Sequence, residues 1–323
     1  MKPFALVRPK TLAEAAKLSA PPDAEVKAGG VDLVDRMKEG LDRPRTVVSI
    51  IEISGHDRIE AGPPAKIGAL ATLAAIADDP GLHKAYPALP AAAGGAATPQ
   101  IRHMATLGGN LCQRPRCWYY RLEEFDCRKK GGKECFARDG DNRHLAIFDS
   151  DLACCCVHPS AMGTALLAYG ATLEIVGPNG TRKLPIDQFF YRPVSDSTHE
   201  NTLSPGEIVA AASIPPPAAG ARSAYRKLKQ KESFDWPLVE TCVDLTIDGG
   251  VVRSARVVFG SVAPTPYRSK AAEAVLVGGR PGDELARRAA EAAIADAKPL
   301  THNAYKVTLA KVELERALKQ AWA

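Results

Sequence analysis

Cys117, Cys127, Cys135 and the run Cys154-Cys155-Cys156 fall within about forty residues of one another, directly behind the glycine turn Ala105-Thr106-Leu107-Gly108-Gly109-Asn110. The spacing is C-x9-C-x7-C, then eighteen residues to Cys154. Thiolates are soft ligands that suit iron–sulfur clusters and zinc. Structural zinc takes ligand pairs about two to four residues apart, and no such pair precedes Cys154. A [4Fe–4S] cube accepts single ligands from separate points of a loop. A cluster, zinc, and disulfide or unligated thiols all stay open on spacing alone. In an extended strand Cys154 and Cys156 share one face and Cys155 the other, so one or two of the three reach a common site. The rest act as small core hydrophobes. The glycine turn offers different chemistry, because bare backbone N–H groups approach a phosphate or flavin closely. The two features together suit a pair of cofactors held side by side.

The elements that position these residues are legible upstream and downstream. An apolar strand over Ala24 to Ala28 runs into Gly29-Gly30 and a helix around Leu33 to Lys38, gathering free N–H groups at a helix N-terminus where a pyrophosphate binds well. On its own that motif reads as an ordinary turn. Thr11-Leu12-Ala13-Glu14 is a capping box that opens a helix through Leu18. Thr46 to Ile51 and Lys66 to Leu70 read as strands, Thr72 starts a helical stretch, and the small residues of 88–98 suit a closely packed helix. The segment Arg192 to Gly220, with Ser204-Pro205-Gly206 and Pro215-Pro216-Pro217, marks a domain boundary. Beyond it Val243, Leu245 and Ile247 alternate with polar residues, Asp248-Gly249-Gly250 turns a hairpin, and Val251 to Val262 returns. A helix beginning at Asp283 carries Leu285 and Ala289. Another has Val307, Ala310, Leu314, Ala317 and Leu318 on one face. The last hundred residues therefore read as a small α+β domain, and no internal repeat is present.

Length and composition bound the rest. The 323 residues suit two or three domains, and 46% hydrophobic with 24% charged residues is globular usage. The net charge of +5 sits on a mixed surface with only short basic runs such as Arg128-Lys129-Lys130, which argues against nucleic acid or a membrane as partner. The start Met1-Lys2-Pro3-Phe4-Ala5-Leu6 lacks the apolar stretch of a secretory signal, and no later run is long enough for a membrane helix. The expectation is a cytoplasmic chain by default, periplasmic only if carried by a partner bearing a twin-arginine signal. Seven of the eight cysteines fall in residues 112–156, which suits a local metal site better than a secreted disulfide framework.

At this point the chain resembles the FAD-binding medium subunit of the molybdenum hydroxylases, the xanthine dehydrogenase and carbon monoxide dehydrogenase group. The matching pieces, in the family's order over essentially the whole chain, are Ala28-Gly29-Gly30-Val31-Asp32-Leu33, Ile67-Gly68-Ala69-Leu70, Gln100-Ile101-Arg102, Ala105 to Asn110, His158-Pro159-Ser160 and Tyr225-Arg226-Lys227. Within the family the stretch Arg116-Cys117-Trp118-Tyr119-Tyr120, then Cys127, Cys135, Asn142-Arg143-His144 and a cysteine shortly before His158, is similar to flavin subunits that also carry a [4Fe–4S] cluster, as in periplasmic aldehyde oxidoreductase.

The resemblance implies an α+β protein: a two-lobed FAD-binding domain of the vanillyl-alcohol-oxidase type followed by a small α+β C-terminal domain. Lobe 1 would span 1–58, lobe 2 would span 59–215 with the cysteine loop at 112–156, and the C-terminal domain would span 222–323. It implies that Glu25, Val26, Lys27, Ala28, Gly29, Gly30, Val31, Asp32 and Leu33 wrap the FAD pyrophosphate. Thr106, Gly109 and Asn110 would line a second FAD contact, and Val209 and Lys227 would approach the flavin ring. Counting back from His158 makes Cys154 the fourth cluster ligand beside Cys117, Cys127 and Cys135, leaving Cys155 and Cys156 to pack. No side chain is assigned a general acid or base role, because the chemistry implied is electron relay. Electrons from substrate oxidation, an aldehyde in the first instance, would pass from a large molybdenum-cofactor subunit through a small [2Fe–2S] subunit to FAD and an external acceptor.

Two positions depart from the family pattern: Val31 replaces a polar residue, and Ala161 replaces an aspartate. If the family's carboxylate contacts FAD, as the resemblance implies, its loss removes a charge-assisted hydrogen bond worth on the order of 1.5–3 kcal/mol. A competing reading is a non-catalytic assembly subunit with a structural zinc loop and no flavin. A third is a stand-alone flavin oxidase, which would need its own substrate pocket. His103, His144 and His158 read as packing or hydrogen-bonding residues rather than ligands, and Trp118, Tyr119 and Tyr120 as a cluster shield, a partner contact or core.

Overall fold

Three sheets form in chain order in the computed structural model, which describes residues 1–323. The first is parallel and contains β1 (Ala5–Val7), β2 (Ala24–Lys27) and β3 (Thr46–Ser49), in the order β1-β3-β2. Parallel neighbours need crossovers, and the helices Leu12–Leu18 and Leu33–Lys38 supply them. The Thr11 hydroxyl accepts the Glu14 N–H at 3.1 Å, as the capping box predicts. The reciprocal bond differs: Glu14 accepts from the Lys10 N–H at 2.7 Å, one residue ahead of the cap.

The second sheet holds β4 (Ile59–Glu60), β5 (Ala65–Gly68), β6 (Thr172–Gly177), β7 (Gly180–Pro185) and β8 (Ile208–Ile214), ordered β4-β5-β8-β6-β7 and antiparallel throughout. β8 lies at its centre, inside the stretch that composition marks as a boundary, so Arg192 to Gly220 is not linker throughout. Ile-Val-Ala-Ala-Ala-Ser-Ile is buried at six of its seven positions and lacks the alternation that would announce a strand. The connecting segment is shorter and begins at Pro215. The helix Ala161–Tyr169 is buried at every position, which fits its almost wholly apolar sequence and its place in the largest core.

The third sheet, β12-β11-β10-β9, contains β9 (Ala221–Lys229), β10 (Pro237–Asp248), β11 (Val251–Gly260) and β12 (Tyr267–Arg268). Gly249 and Gly250 turn the predicted hairpin with φ of 59° and 71°, the left-handed pair such a turn requires. Helices Lys270–Leu276, Asp283–Ile294 and Tyr305–Trp322 complete this part, and their apolar residues share one core with β10 and β11. The cysteine loop is tied to it through backbone-directed bonds. Asn303 donates to the Leu145 and Ala146 carbonyls at 3.2 and 3.0 Å, and Asn142 accepts from the His302 N–H at 2.8 Å. No helix is long and apolar enough to cross a membrane.

Candidate cofactor sites

The two glycine turns meet. A Cβ on Gly29 would fall 1.7 Å from the Met104 carbonyl oxygen, so only glycine lets β2's turn lie against the backbone that leads into Ala105. Gly30 follows with φ 78°. Between the turns and the third sheet opens a cleft of about 840 Å³, within the size range of sites for large organic ligands. Every residue from Glu25 to Leu33 lines it, together with Thr106, Gly109, Asn110, Val209 and Lys227. The structure thus brings all fourteen residues singled out for FAD contact to one space.

Local bonds show how each is held. Thr106 accepts the Gly109 N–H at 3.2 Å, and Asn110 Oδ1 accepts from the Ser160 hydroxyl at 2.8 Å and from the Met162 N–H at 3.2 Å. The second glycine turn is therefore clamped to His158-Pro159-Ser160. Lys227 donates to the Gly95 carbonyl at 2.9 Å, and burial lowers its pKa. Val31, 39% exposed, and Ala161, buried at a helix start, both border the cleft, so the two departures from the family pattern face the same space. The His158 imidazole packs edge-on to Phe190, and burial pushes its pKa down to about 3, which keeps it neutral.

A cationic wall that no sequence motif announces lines this cleft. Asp32 Oδ1 lies 2.8 Å from Arg116 and 2.7 Å from Arg121, while Oδ2 accepts the Arg114 N–H at 3.0 Å and lies 3.1 Å from Arg36. Burial alone would raise the Asp32 pKa, but Arg116, Arg36, the Arg114 N–H and Arg121 outweigh it and hold the carboxyl below its ordinary value. Arg114 also pairs with Glu200, Nε to Oε2 at 2.8 Å, and its Nη2 donates to Glu200 Oε1 at 3.3 Å. Arg116 lies 4.8 Å from the Trp236 ring centre, and this cation–π contact brings the β9–β10 connection over the mouth of the cleft. Arg36, Arg114 and Arg116 line the cleft and Arg121 braces Asp32 from behind, and only the nearness of Arg114 and Arg116 to Cys117 in sequence hinted at this wall.

The thiols form a separate site. Cys117, Cys127, Cys135, Cys154, Cys155 and Cys156 all line one small apolar space with Tyr119, Tyr120, Phe136 and Ala137. The enclosed volume is about 10 Å³, room for roughly one water. No three His, Cys, Asp or Glu side chains stand close enough as placed to hold a metal ion, and all eight cysteines are free thiols. The donor set itself fits a soft metal, with sulfurs from separate points of one loop behind a largely aromatic wall. The strand that would turn Cys155 away from its neighbours is not formed, since residues 154–160 are irregular, and Cys155 Sγ lies 3.7 Å from Cys135 Sγ.

Burial pushes the Cys117 thiol up to about 12. The Cys154 thiol is instead held below its ordinary value, first by the adjacent Cys156 thiol, against burial, and then by the Lys129 ammonium. Lys129 is the one charged residue on this cavity wall. Tyr119 meets Phe125 edge-on and stacks with Phe136, and Tyr120 lies beneath Arg114, whereas Trp118 is 56% exposed, so the three aromatics divide between shield and surface.

Residues 2–217 match the family model described as the FAD binding domain in molybdopterin dehydrogenase, and residues 223–321 match the CO dehydrogenase flavoprotein C-terminal domain. The aldehyde oxidoreductase FAD-binding subunit PaoB of Escherichia coli (strain K12) is 35% identical over 100% of this chain and 99% of its own length. The carbon monoxide dehydrogenase medium chain of Hydrogenophaga pseudoflava is 29% identical over 98% of this chain and 96% of its own. A crystal structure of the Cu,Mo-CO dehydrogenase in a cyanide-inactivated form matches with a TM-score of 0.77 at 28% identity, covering 99% of both chains.

Proposed function

The chain belongs to the FAD-binding medium subunits of the molybdenum hydroxylases, and from that premise we propose that it is the electron-relay subunit of such a complex, holding FAD in the glycine-lined cleft and a [4Fe–4S] cluster on Cys117, Cys127, Cys135 and Cys154. The observation that carries the reading is the convergence of both glycine turns, Val209 and Lys227 on one cleft, with a thiol-lined cavity behind the Arg114–Arg121 stretch. When bound, FAD and the cluster supply one- and two-electron transfer. The chain's own part is to hold them. Backbone N–H groups around Gly29 and Gly30 and the guanidinium groups of Arg114 and Arg116 offer donors to phosphate oxygens. Asn110 and Thr106 keep the second turn in place, and the aromatic wall keeps water from the thiols.

Electrons would arrive from a large molybdenum subunit through a small [2Fe–2S] subunit and leave to an external acceptor. An aldehyde is the proposed substrate class, supported by the 35% identical relative named as an aldehyde oxidoreductase subunit. Residues 1–58, 59–215 and 222–323 would act as two FAD lobes and a C-terminal domain.

The test is an anaerobic cofactor count on the purified chain. About one FAD with about four iron and four sulfide per chain is expected. Cys127→Ala should remove the iron and sulfide while leaving FAD detectable by its visible absorbance. Zinc in place of iron, without flavin, would sink the relay reading in favour of a structural role.

A further inference from the structure

The walls of the two cavities touch through one buried ion chain. Lys129, on the thiol cavity, has its Nζ 2.6 Å from Glu200 Oε1 and donates to the Ser197 carbonyl at 2.7 Å. Glu200 Oε2 lies 2.8 Å from Arg114 Nε, and both Glu200 and Arg114 line the cleft. The Lys129 and Glu200 side chains are 3% and 7% exposed, so solvent screens their interaction little. Arg114 then reaches the first glycine turn, because its backbone N–H donates to Asp32 at 3.0 Å.

One carboxylate is thus divided between two cations, each on the wall of a different site. While Lys129 takes part of the Glu200 charge, the Arg114 guanidinium keeps part of its own for an anion in the cleft. If Lys129 is withdrawn, Glu200 neutralises Arg114 alone, and a nearby anion loses that attraction. Lys129 sits in the short turn Arg128–Lys130 that directly follows Cys127, so a metal holding Cys127 and Cys135 would also hold this turn against Glu200.

We propose that Lys129 is a positioning residue for the flavin site, acting through Glu200 and Arg114, and that it makes FAD affinity depend on whether the thiol site is filled. The proposal rests on the reading of the cleft as an FAD site and of the thiols as a cluster site. FAD is the probe, titrated into the purified chain by fluorescence with iron counted in the same samples. Lys129→Met should weaken FAD binding about tenfold, and the charge-balanced pair Lys129→Met with Glu200→Gln should return it to within about twofold of the parent. A purely structural role for Lys129 would leave the double variant no better than the single one, which overturns the proposal.

Should Lys129→Met not fold, Glu200→Gln alone decides. It is expected to bind FAD at least as tightly as the parent, and weaker binding overturns the proposal. The iron-loaded parent should also bind FAD more tightly than the chelator-stripped parent, a difference that should vanish in Lys129→Met. Its persistence there would exclude the route through Lys129. A parent that never holds iron defeats the cluster reading and the dependence on filling, and the FAD titrations on metal-free protein still judge the ion chain separately.

Discussion

Gly29→Ala is expected to strip the chain of FAD. The added Cβ would fall 1.7 Å from the Met104 carbonyl oxygen and 2.7 Å from its carbon, and both are backbone atoms of the segment that carries the second glycine turn. A flexible side chain could swing aside, but a main-chain carbonyl cannot. The two turns must therefore separate, and the donors aimed at the cleft move with them. A fall in FAD affinity of at least about 100-fold, equivalent to about 2.7 kcal/mol, is the expected scale, with overpacking costing stability by about 1–3 kcal/mol as well.

Flavin retained per chain after desalting measures the first effect and thermal unfolding the second. Gly278→Ala, in the C-terminal part away from both cavities, is the matched control: at φ 84° it carries backbone strain, but a Cβ there meets nothing within 4 Å, so it should cost stability and leave FAD in place. A Gly29→Ala protein that keeps its flavin would show that the cleft is not the FAD site.

Asp32→Asn is expected to cost about 3–5 kcal/mol of stability, since it leaves buried guanidinium groups without their shared anion. Four arginines converge on this carboxylate, three through their side chains and Arg114 through its N–H, and its side chain is only 14% exposed. The sign of the pH dependence follows from its lowered pKa. The contribution is fully present above the unfolded aspartate value of about 3.9 and is lost as pH falls through the lower folded value. Acid unfolding of the parent should therefore show a steep limb in that window, flattened in Asp32→Asn. Denaturant titrations at neutral pH give the size of the loss, and a variant as stable as the parent would mean that the arginines pair adequately elsewhere.

The local elements were legible because their signals are local. Thr11, Gly29-Gly30, the Leu33–Lys38 helix and the Asp248-Gly249-Gly250 hairpin each declare themselves within a few residues through capping, a glycine's missing side chain or an alternating pattern. β8 and the Ala161–Tyr169 helix did not, because segments buried on all sides are uniformly apolar and show no period. The ordered motifs likewise identified the family and its flavin chemistry, as the family models matching residues 2–217 and 223–321 show.

Pairing across long separations was not readable. Asp32 meets Arg121 at a separation of 89 residues and Lys129 meets the Ser197–Glu200 stretch at 68, and no feature of either segment names the other. By itself the sequence determined which chemistries the chain can hold, since donor type and backbone freedom belong to the residues. Only the tertiary structure decided that the glycine turns share one cleft, that all three consecutive cysteines face one cavity, and that a buried ion chain joins the two. Those contacts exist only once sheets and loops distant in sequence have packed, because a charge or a thiol chooses its partner by distance in space.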